Sequence, residues 1–320
     1  MKENEQPISF LVPIRNGLTY LNRFKTIINN NIGQQDEVVI IDDGSTDGTS
    51  DFLKTWAEEQ DNVRLLKTSG VGLVQALNLG LSQSANRWIA RFDVDDEYEP
   101  NRIAAQRNSI KSGTVAIFSD YEFIDELNVR YGSMSSPIFP NPTAVSLANS
   151  SRTAHPSALY DKEAVVESGG YLEADYPAED LALWLRLINY GDIVSVPELL
   201  LHYRLRKNSI SLQHRGNSMF KKQELVSKAF HLKSNFHYCL ENFDAIISSY
   251  NKLPLSNQRK ILFVRDLLSV TDNLKLQMKY RSYIMRKTTK LLLNPAMIFE
   301  VTALNLNKLR RQKLRSSLKD

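Results

Sequence analysis

Asp93 and Asp95 stand at alternate positions directly after the apolar segment 88–92. Two such carboxylates at the end of a strand converge on one point, where like charges repel each other. A divalent cation removes that repulsion, and ligation by oxygen alone suits Mg²⁺ or Mn²⁺ rather than zinc. The sequence therefore predicts a divalent metal at Asp93 and Asp95, and a metal with open positions is suited to holding phosphate groups.

A second acidic pair, Asp42 and Asp43, opens the segment "DDGSTDGT" at 42–49. Either carboxylate can accept hydrogen bonds from a nucleotide base or a ribose. The same segment also has the composition of a turn that caps a helix starting near Thr49, so both interpretations stay open. Glu97 and Glu99 are interpreted as a solvated lead into the next helix.

These acids are placed by an alternation of short strands and amphipathic helices. The strands are predicted at 8–12, 37–42, 63–66, 88–92 and 115–120. The helices are predicted at 18–28, 49–59, 73–81 and 100–110, the last with Pro100 at its first position. This order predicts an α/β fold whose mainly parallel sheet has helices on both faces, with ligands beyond the carboxyl ends of the strands.

Common nucleotide-binding motifs are absent from the sequence. It contains no G-x-x-x-x-G-K-[ST] segment, and no G-x-G-x-x-G follows the first strand. No pair of histidines and cysteines has zinc-site spacing. The chain is therefore not expected to be a P-loop nucleotidase or a dinucleotide oxidoreductase.

Length and composition bound the class of protein. The chain of 320 residues is long enough for one large core or two, and 42% hydrophobic with 24% charged residues is ordinary for a globular protein. Cys239 is the lone cysteine, and the most apolar stretch, 295–306, is too short for a bilayer and contains a glutamate. We expect a cytoplasmic protein without a transmembrane span.

The chain divides into two parts at about residue 214. Residues 1–214 form the α/β region, whereas residues 215–320 have helical spacing, as at 219–231, 259–285 and 299–318. Residues 275–320 carry a net charge of +10, which leaves −6 on the rest of the chain. This basic region is either a helical packing region or a surface for anionic lipids. Nucleic-acid binding is not expected, because no recognised binding motif accompanies the charge.

Seven segments follow one another in an order and spacing that resembles the family 2 glycosyltransferases. They are "ISFLVPIRN", "VVIIDDGSTDGT", "GVGLVQALNLGL", "RWIARFDVDDEYEPNRIAAQ", "HPSALYDKEAV…GGY", "AEDLALWLRL" and "HYRLRKNSIS". The resemblance runs from about Ile8 to Ser211 and is nearest to bacterial enzymes of capsule, exopolysaccharide or O-antigen assembly. It implies a GT-A fold and metal-dependent transfer of a sugar, with inversion, from a nucleotide diphosphate sugar. UDP is the expected carrier.

The resemblance also implies which residues bind the donor. Asp43 is similar to the acid that contacts a uracil, and Asp93-Val94-Asp95 matches the metal-binding D-x-D motif, with Asp96 a third acid of unsettled role. The other donor-site positions that the family pattern implies are Pro13, Asn16, Asp42, Asn78 and Arg91. Arg15 is a departure, since an aromatic residue often stands there, and this leaves the identity of the base open.

The chemical step is assigned by the same resemblance. Asp180 of "AED" matches the general base, and Glu179 is expected to orient the acceptor, a saccharide or lipid-linked saccharide. His155 of "HP" is similar to a residue near the acceptor. Arg204 and Arg206 match a segment that closes over the donor diphosphate, although many relatives carry a histidine at the position of Arg206.

Other classes fit the sequence less well. A sugar-nucleotide nucleotidyltransferase is the main alternative, but it usually needs a glycine-rich loop after the first strand, which "PIRNGLTYL" lacks. A D-x-D phosphatase would carry its paired acids after the first strand. A processive synthase would need transmembrane helices and a Q-x-x-R-W motif. A non-enzymatic scaffold is disfavoured by the intact acid at Asp180.

Overall fold

A nine-stranded mixed sheet forms the centre of the computed structural model. The structure describes residues 6–136, 147, 152–207, 209, 221, 224–225, 232–252, 256–273, 278–292 and 295–317. Within them the strands are β1 Ile8–Ile14, β2 Glu37–Asp43, β3 Val63–Thr68, β4 Trp88–Arg91, β5 Glu97–Tyr98, β6 Thr114–Ile124, β7 Arg130–Met134, β8 Leu159–Asp161 and β9 Asp192–Arg204. Their order is β3-β2-β1-β4-β8-β6-β9-β5, and β7 pairs with β6.

The first four strands are parallel, as the alternating pattern predicts. β1 lies between β2 and β4, and β3 pairs with β2 on the outer side. All four carboxyl ends therefore open on the same edge of the sheet. The loops that carry the predicted donor-site acids follow β2 and β4 at this edge. The prediction that both loops lie at the same edge of the sheet is therefore confirmed.

The second half of the sheet is less regular than the sequence indicates. β8 runs antiparallel between β4 and β6, and β9 pairs in parallel with β6 and antiparallel with β5. The strand β9 was not predicted because Pro197 interrupts its apolar pattern. The register of β6 against β9 shifts there, from Ser119 opposite Val196 to Asp120 opposite Leu199. This irregularity accommodates a residue that has no N–H to donate.

The described part of the chain contains eleven α-helices of at least six residues. They are α1 Leu18–Asn31, α2 Thr49–Glu59, α3 Leu73–Gln83, α4 Arg102–Arg107, α5 Lys162–Glu167, α6 Glu179–Leu187, α7 Leu232–Glu241, α8 Phe243–Ser249, α9 Ser256–Asn273, α10 Met278–Leu292 and α11 Pro295–Ser317. The prediction that α4 begins at Pro100 is wrong. The backbone is still tied to β9 just before that residue, through a hydrogen bond from Glu99 N to Leu200 O of 3.2 Å.

Two hydrophobic cores lie on opposite faces of the sheet. In β1, Phe10 and Val12 face one core and Leu11 faces the other, because successive side chains of a strand alternate. The first core contains Phe24 of α1 and Trp56 of α2. The second contains the buried side of α3 and α6. Both faces are thus covered by helices, as predicted.

The C-terminal helices α7 to α10 share the second core with the sheet, and Leu314 of α11 joins the first. Phe236, Phe263 and Ile284 belong to the same cluster as Phe118 of β6 and Trp184 of α6. The predicted boundary at residues 214 and 215, and most of the predicted helix at 219–231, lie outside the described residues. No helix in the described part of the chain is long and apolar enough to cross a bilayer.

The helix α9 is held on the sheet by buried charges. Arg259 lies 2.7 Å from Asp120 of β6, and it also donates to Ser136 O at 3.0 Å. Ser136 N donates to the other oxygen of Asp120 at 2.8 Å. Arg152 and Asp266 of α9 form a further buried ion pair. These contacts join the helical region directly to the α/β region.

Candidate active site

The carboxyl edge of β1 and β2 is cross-linked by Asn16. Its backbone has a positive φ of 54°, which asparagine tolerates better than most residues. Asn16 Oδ1 accepts from Thr46 N at 2.7 Å, and Asn16 N donates to Ser45 Oγ at 2.9 Å. Pro13 lies one strand position before the end of β1, opposite Ile41. These residues shape the edge of the predicted nucleoside site.

Asp42 and Asp43 diverge from the end of β2. Asp42 is buried and accepts from Ser45 N at 3.1 Å and from the hydroxyl of Ser50 in α2. It therefore stabilises its own loop, which is the structural one of the two interpretations of this segment. Asp43 turns instead toward the loop that follows β3.

Asp43 organises the β3–α3 loop. It accepts hydrogen bonds from the Thr68 hydroxyl, from Val71 N at 2.7 Å and from Gly72 N at 3.0 Å. Burial raises the pKa of Asp43, but these hydrogen bonds and the charge of Arg15 outweigh it and bring the pKa below its usual value. Asp43 is thus a stable carboxylate at the predicted base site.

Arg15 extends from the end of β1 over the same loop. Its guanidinium lies about 3.5 Å from the position that a Cβ on Gly70 would occupy. The side chain is exposed. Arg15 and Asp43 therefore place a cation and an anion side by side where the resemblance expects a base.

Arg91 and Asp93 form an ion pair at the end of β4. Arg91 is buried, and its Nη2 lies 2.7 Å from Asp93 Oδ1. Burial lowers the pKa of Arg91, but the Asp93 carboxylate outweighs it and raises the pKa above its usual value. About a third of the Asp93 side chain is exposed. The buried Arg91 thus fixes the Asp93 carboxylate while leaving part of it exposed to solvent.

Asp95 lies deeper than Asp93 and pairs with Arg206. Arg206 Nε lies 2.6 Å from Asp95 Oδ2. Burial raises the pKa of Asp95, the charge of Asp93 raises it further, and Arg206 opposes both. The two carboxylates of the acidic motif are therefore close enough to repel each other, and each has an arginine partner.

Asp96 and Arg204 hold the acidic loop against β9. Asp96 is buried and accepts from Arg204 N at 2.7 Å. The Arg204 guanidinium donates to Asp95 O at 2.6 Å, to Asp125 O at 2.5 Å and to Glu97 Oε1 at 2.8 Å. These bonds give Arg204 a structural role here, different from the predicted closure over a diphosphate. Glu97 also pairs with Arg23 of α1, so it is more than a solvated acid.

The pair Asp93 and Asp95 fits a divalent cation by charge and by donor type. Their mutual repulsion favours an added positive charge, and hard oxygen donors suit Mn²⁺ or Mg²⁺. In the part of the chain that the structure describes, no set of three or more histidine, cysteine, aspartate or glutamate residues is arranged to hold a metal. Phosphate oxygens and water would have to complete the coordination.

Arg102 and Gln106 of α4 support the acidic loop from beneath, and sequence reasoning assigned them no role. The Arg102 guanidinium lies against the adjacent rings of Phe92 and Tyr98, 4.2 and 4.7 Å from their centroids. It donates to Arg91 O at 2.8 Å, and Gln106 donates to Ser157 O at 2.8 Å. The sequence feature that could have identified them is a pair of long polar side chains, four residues apart, on an otherwise apolar helix face.

Asp180 lies in the first turn of α6. Its Oδ1 accepts from Leu181 N at 2.7 Å, and its side chain is partly exposed. Glu179, the first residue of the helix, is buried. A helix N-terminus favours negative charge, so the first turn of α6 is a suitable place for two acids. The predicted base is thus accessible, and its neighbour is not.

His155 is enclosed by aromatic side chains rather than open to solvent. Its Nε2 lies 2.8 Å from the hydroxyl of Tyr171, which donates to Tyr160 at 3.2 Å. Its ring meets Trp184 of α6 edge-on, with 5.8 Å between centroids. Burial, followed by the charge of Arg91, holds the pKa of His155 well below its usual value. His155 is therefore a neutral support of α6, and its contact with an acceptor stays a prediction.

Asn78 fastens Tyr171 to α3. It donates to Tyr171 O at 2.8 Å and accepts from Tyr171 N at 3.0 Å, so its amide is used on both sides. Arg186 of α6 donates to Gly170 O at 2.5 Å. Burial raises the pKa of Tyr171, and the charges of Arg91 and Asp180 act on it in opposite directions. Tyr171 thus lies within electrostatic reach of both Arg91 and the predicted base.

Comparison with protein-family models matches residues 9–168, half of the chain, to the family described as glycosyl transferase family 2. The O-antigen biosynthesis glycosyltransferase WbnJ of Escherichia coli is 25% identical over 232 residues, which cover 68% of this chain and 87% of WbnJ. These matches favour the transferase prediction over the nucleotidyltransferase alternative.

Two solved structures have the same fold. Residues 1–349 of S. aureus TarS, in complex with UDP-GlcNAc, align with a TM-score of 0.58 at 14% identity, over 97% of this chain and 92% of that one. The mannosyltransferase PcManGT from Pyrobaculum calidifontis, in complex with GDP-Man and Mn²⁺, aligns with a TM-score of 0.55 at 15% identity, over 99% of this chain and 86% of that one. The fold is the GT-A fold with C-terminal helices.

Proposed function

The chain belongs to the glycosyl transferase family 2, and from this premise we propose that it moves a sugar from a nucleotide diphosphate sugar to an acceptor hydroxyl, with inversion at the anomeric carbon. The proposed acceptor is a saccharide or lipid-linked saccharide of a bacterial surface polysaccharide. The similarity to an O-antigen glycosyltransferase supports this choice of acceptor. The proposed compartment is the cytoplasm, at the inner face of the plasma membrane.

One observation carries the proposal. Tyr171 is close enough to both Arg91, the partner of Asp93, and Asp180 for each charge to influence it. Arg91, beside the predicted diphosphate site, and Asp180, the predicted base, therefore both lie near one buried tyrosine. An inverting transfer needs the base and the diphosphate site within one active site, because the base acts on the acceptor hydroxyl as the diphosphate leaves.

Asp180 is the proposed general base. A sugar hydroxyl is a poor nucleophile, and a carboxylate within hydrogen-bond reach takes its proton as the new C–O bond forms. The Leu181 amide holds one oxygen of Asp180 at 2.7 Å, which orients the carboxylate. Glu179 is proposed to orient the acceptor by fixing the start of α6.

Asp93 and Asp95 are the proposed ligands of Mn²⁺ or Mg²⁺. When bound, such an ion stabilises the negative charge that accumulates on the departing diphosphate. The structure of PcManGT with Mn²⁺ supports the proposal by fold similarity. The exposed side of Asp93 and the guanidinium of Arg206 are proposed to face the phosphates, while Arg204 keeps the loop in place.

The proposed nucleotide is UDP, and Asp43, Asn16 and Arg15 are proposed to border its base. Asp43 holds the loop that follows β3, so it forms one wall of the site as well as offering acceptor oxygens. The UDP-GlcNAc bound to TarS supports this choice. Arg15 can donate to a carbonyl oxygen of the base.

The C-terminal helices are proposed to meet an anionic membrane surface. Exposed apolar side chains lie on two of these helices, Met278 and Met285 on α10 and Leu306 and Leu309 on α11. Exposed basic residues flank them: Arg286, Lys308, Arg310 and Lys313. Apolar side chains bordered by lysine and arginine suit shallow insertion between anionic headgroups.

A thermal-shift screen tests the donor site. UDP-, GDP- and other nucleotide sugars are each added with Mn²⁺, and the matching donor raises the apparent unfolding temperature, because it binds only the folded protein. The matched donor is then incubated with saccharide acceptors, and a glycosylated product is sought by mass spectrometry. Stabilisation by no nucleotide sugar would contradict the proposed function.

A further inference from the structure

Arg206 reaches back from the end of β9 to the acidic loop. It lies two residues beyond the last residue of the strand, and its Nε is 2.6 Å from Asp95 Oδ2. The same guanidinium lies over the ring of Tyr20 in α1, 5.3 Å from the centroid. Arg206 is therefore held from two sides, by a carboxylate and by an aromatic face.

The surroundings of Arg206 strengthen this contact. The side chain of Asp95 is only 13% exposed and that of Arg206 30% exposed, so water screens the pair incompletely. The hydroxyl of Tyr20 donates to Glu126 at 3.0 Å, which fixes the ring beneath the guanidinium. Burial lowers the pKa of Arg206, but Asp95 and the neighbouring charges outweigh it and raise the pKa.

The position of Arg206 conflicts with a metal at the same carboxylate. The guanidinium already supplies the positive charge that the repulsion between Asp93 and Asp95 favours. A divalent cation at Asp95 would face a like charge within a few Å, in a partly shielded site where Coulomb repulsion is strong. Arg206 and a metal ion therefore compete for Asp95 unless Arg206 moves to another anion.

We propose that Arg206 is a resident counter-ion of Asp95, which competes with the divalent cation until a nucleotide diphosphate offers the guanidinium phosphate oxygens in exchange. The inference rests on the proposed metal site at Asp93 and Asp95. Bidentate pairing with phosphate suits a guanidinium at least as well as its present single contact. Metal and nucleotide then bind with positive coupling, part of which is due to Arg206.

Binding of Mn²⁺ alone to the nucleotide-free protein tests the competition. Free Mn²⁺ is measured by electron paramagnetic resonance in titrations of the wild type and of Arg206→Met, which keeps a side chain of similar length on Tyr20. The variant is expected to bind Mn²⁺ roughly tenfold more tightly, because the competing charge is gone. Lys207→Met is the matched control, since it removes an exposed positive charge one residue away.

Addition of UDP completes the test. In the wild type UDP is expected to raise the affinity for Mn²⁺, and in Arg206→Met this enhancement is expected to be several-fold smaller. Asp95→Asn in the Arg206→Met background should remove the gain in Mn²⁺ affinity, which would show that the gain depends on Asp95. Tyr20→Leu removes the aromatic ring that holds the Arg206 guanidinium but keeps the arginine. It should therefore increase the affinity for Mn²⁺ less than Arg206→Met does.

Three results would overturn the inference. They are an unchanged or weaker affinity for Mn²⁺ in Arg206→Met, an equal gain in Lys207→Met, and failure of both wild type and Arg206→Met to bind Mn²⁺. The proposed transferase function fails separately, when no nucleotide sugar stabilises the wild-type protein. Stabilisation by a nucleotide sugar together with unchanged Mn²⁺ affinity in Arg206→Met would therefore refute only the role of Arg206.

Discussion

Opposite charges at the carboxyl edge of the sheet are paired residue by residue. Arg91 neutralises Asp93, Arg206 neutralises Asp95, and Asp96 is tied to the backbone of Arg204. The arginines offset the repulsion between acids that are gathered in this way. They also set the charge that the proposed diphosphate would meet.

Asp180→Asn tests the proposed base. Asparagine keeps the size of the side chain and the oxygen that accepts from Leu181 N, but it cannot take a proton. We expect transfer to fall by about 10²–10⁴-fold while the affinity for the donor changes little. Turnover is measured as release of the nucleoside diphosphate in the presence of acceptor, and donor affinity by calorimetry.

Glu173→Gln is the control for this substitution, because Glu173 is an exposed acid in the turn that precedes α6. It should retain the turnover of the wild type. Undiminished turnover in Asp180→Asn would exclude Asp180 as the base. A loss of donor binding equal to the loss of turnover would instead indicate a role in holding the donor.

Sequence patterns predicted which edge of the sheet carries the candidate residues, but they did not predict which residues those side chains contact. Asp93, Asp95 and Asp43 were expected at one edge because the carboxyl ends of parallel strands meet there, and the structure places them at that edge. The enclosure of His155 by Tyr171 and Trp184 was not predictable, since these residues come from three separate segments of the chain. The bonding of Arg204 to the acidic loop depends on the unpredicted pairing of β9 with β5.

At the scale of elements, the local sequence pattern predicted those helices and strands whose structure depends on residues close in the chain. α2 was predicted to its ends, because a turn segment and an amphipathic run define it locally. β8 was missed, because a strand of three residues has too little sequence to show alternation. Its place between β4 and β6 is determined by long-range pairing alone.

The docking of α9 on β6 gives a prediction about pH. Burial raises the pKa of Asp120 to about 6, although Arg259 and Ser136 oppose it. Between about pH 4 and pH 6 the folded protein therefore keeps a proton on Asp120 that the same aspartate in the unfolded chain has already released. The stability that this proton contributes is fully present below about pH 4 and is lost as the pH rises through about 6.

Asp120→Asn should remove this dependence. Between about pH 4 and pH 7 the free energy of unfolding of the wild type should fall relative to that of the variant by up to about 3 kcal/mol. Urea unfolding followed by tryptophan fluorescence across that range measures the difference. Asp61→Asn, at an exposed aspartate, serves as the control and should run parallel to the wild type. A parallel profile for Asp120→Asn would contradict the prediction.

At the scale of the whole molecule, charge is distributed unevenly between the α/β region and the C-terminal helices. Residues 275–320 carry +10, and residues 1–274 carry −6. Helices α7 to α10 nevertheless belong to the core on one face of the sheet, and Leu314 of α11 belongs to the core on the other face. A membrane bound by this surface would therefore hold the candidate active site near lipid-linked acceptors.

Vesicle binding tests that surface through the exposed leucines of α11. The variant Leu306→Ser with Leu309→Ser should bind vesicles of phosphatidylcholine and phosphatidylglycerol roughly tenfold more weakly than the wild type, because two apolar side chains lose their place in the headgroup region. Salt should weaken the wild-type binding as well, since exposed lysine and arginine contribute to it. Leu127→Ser is the control, because Leu127 is 83% exposed on the hairpin between β6 and β7. Equal loss in that control would rule out α11 as the membrane-binding face, and equal binding of the wild type to pure phosphatidylcholine would rule out a preference for anionic lipid.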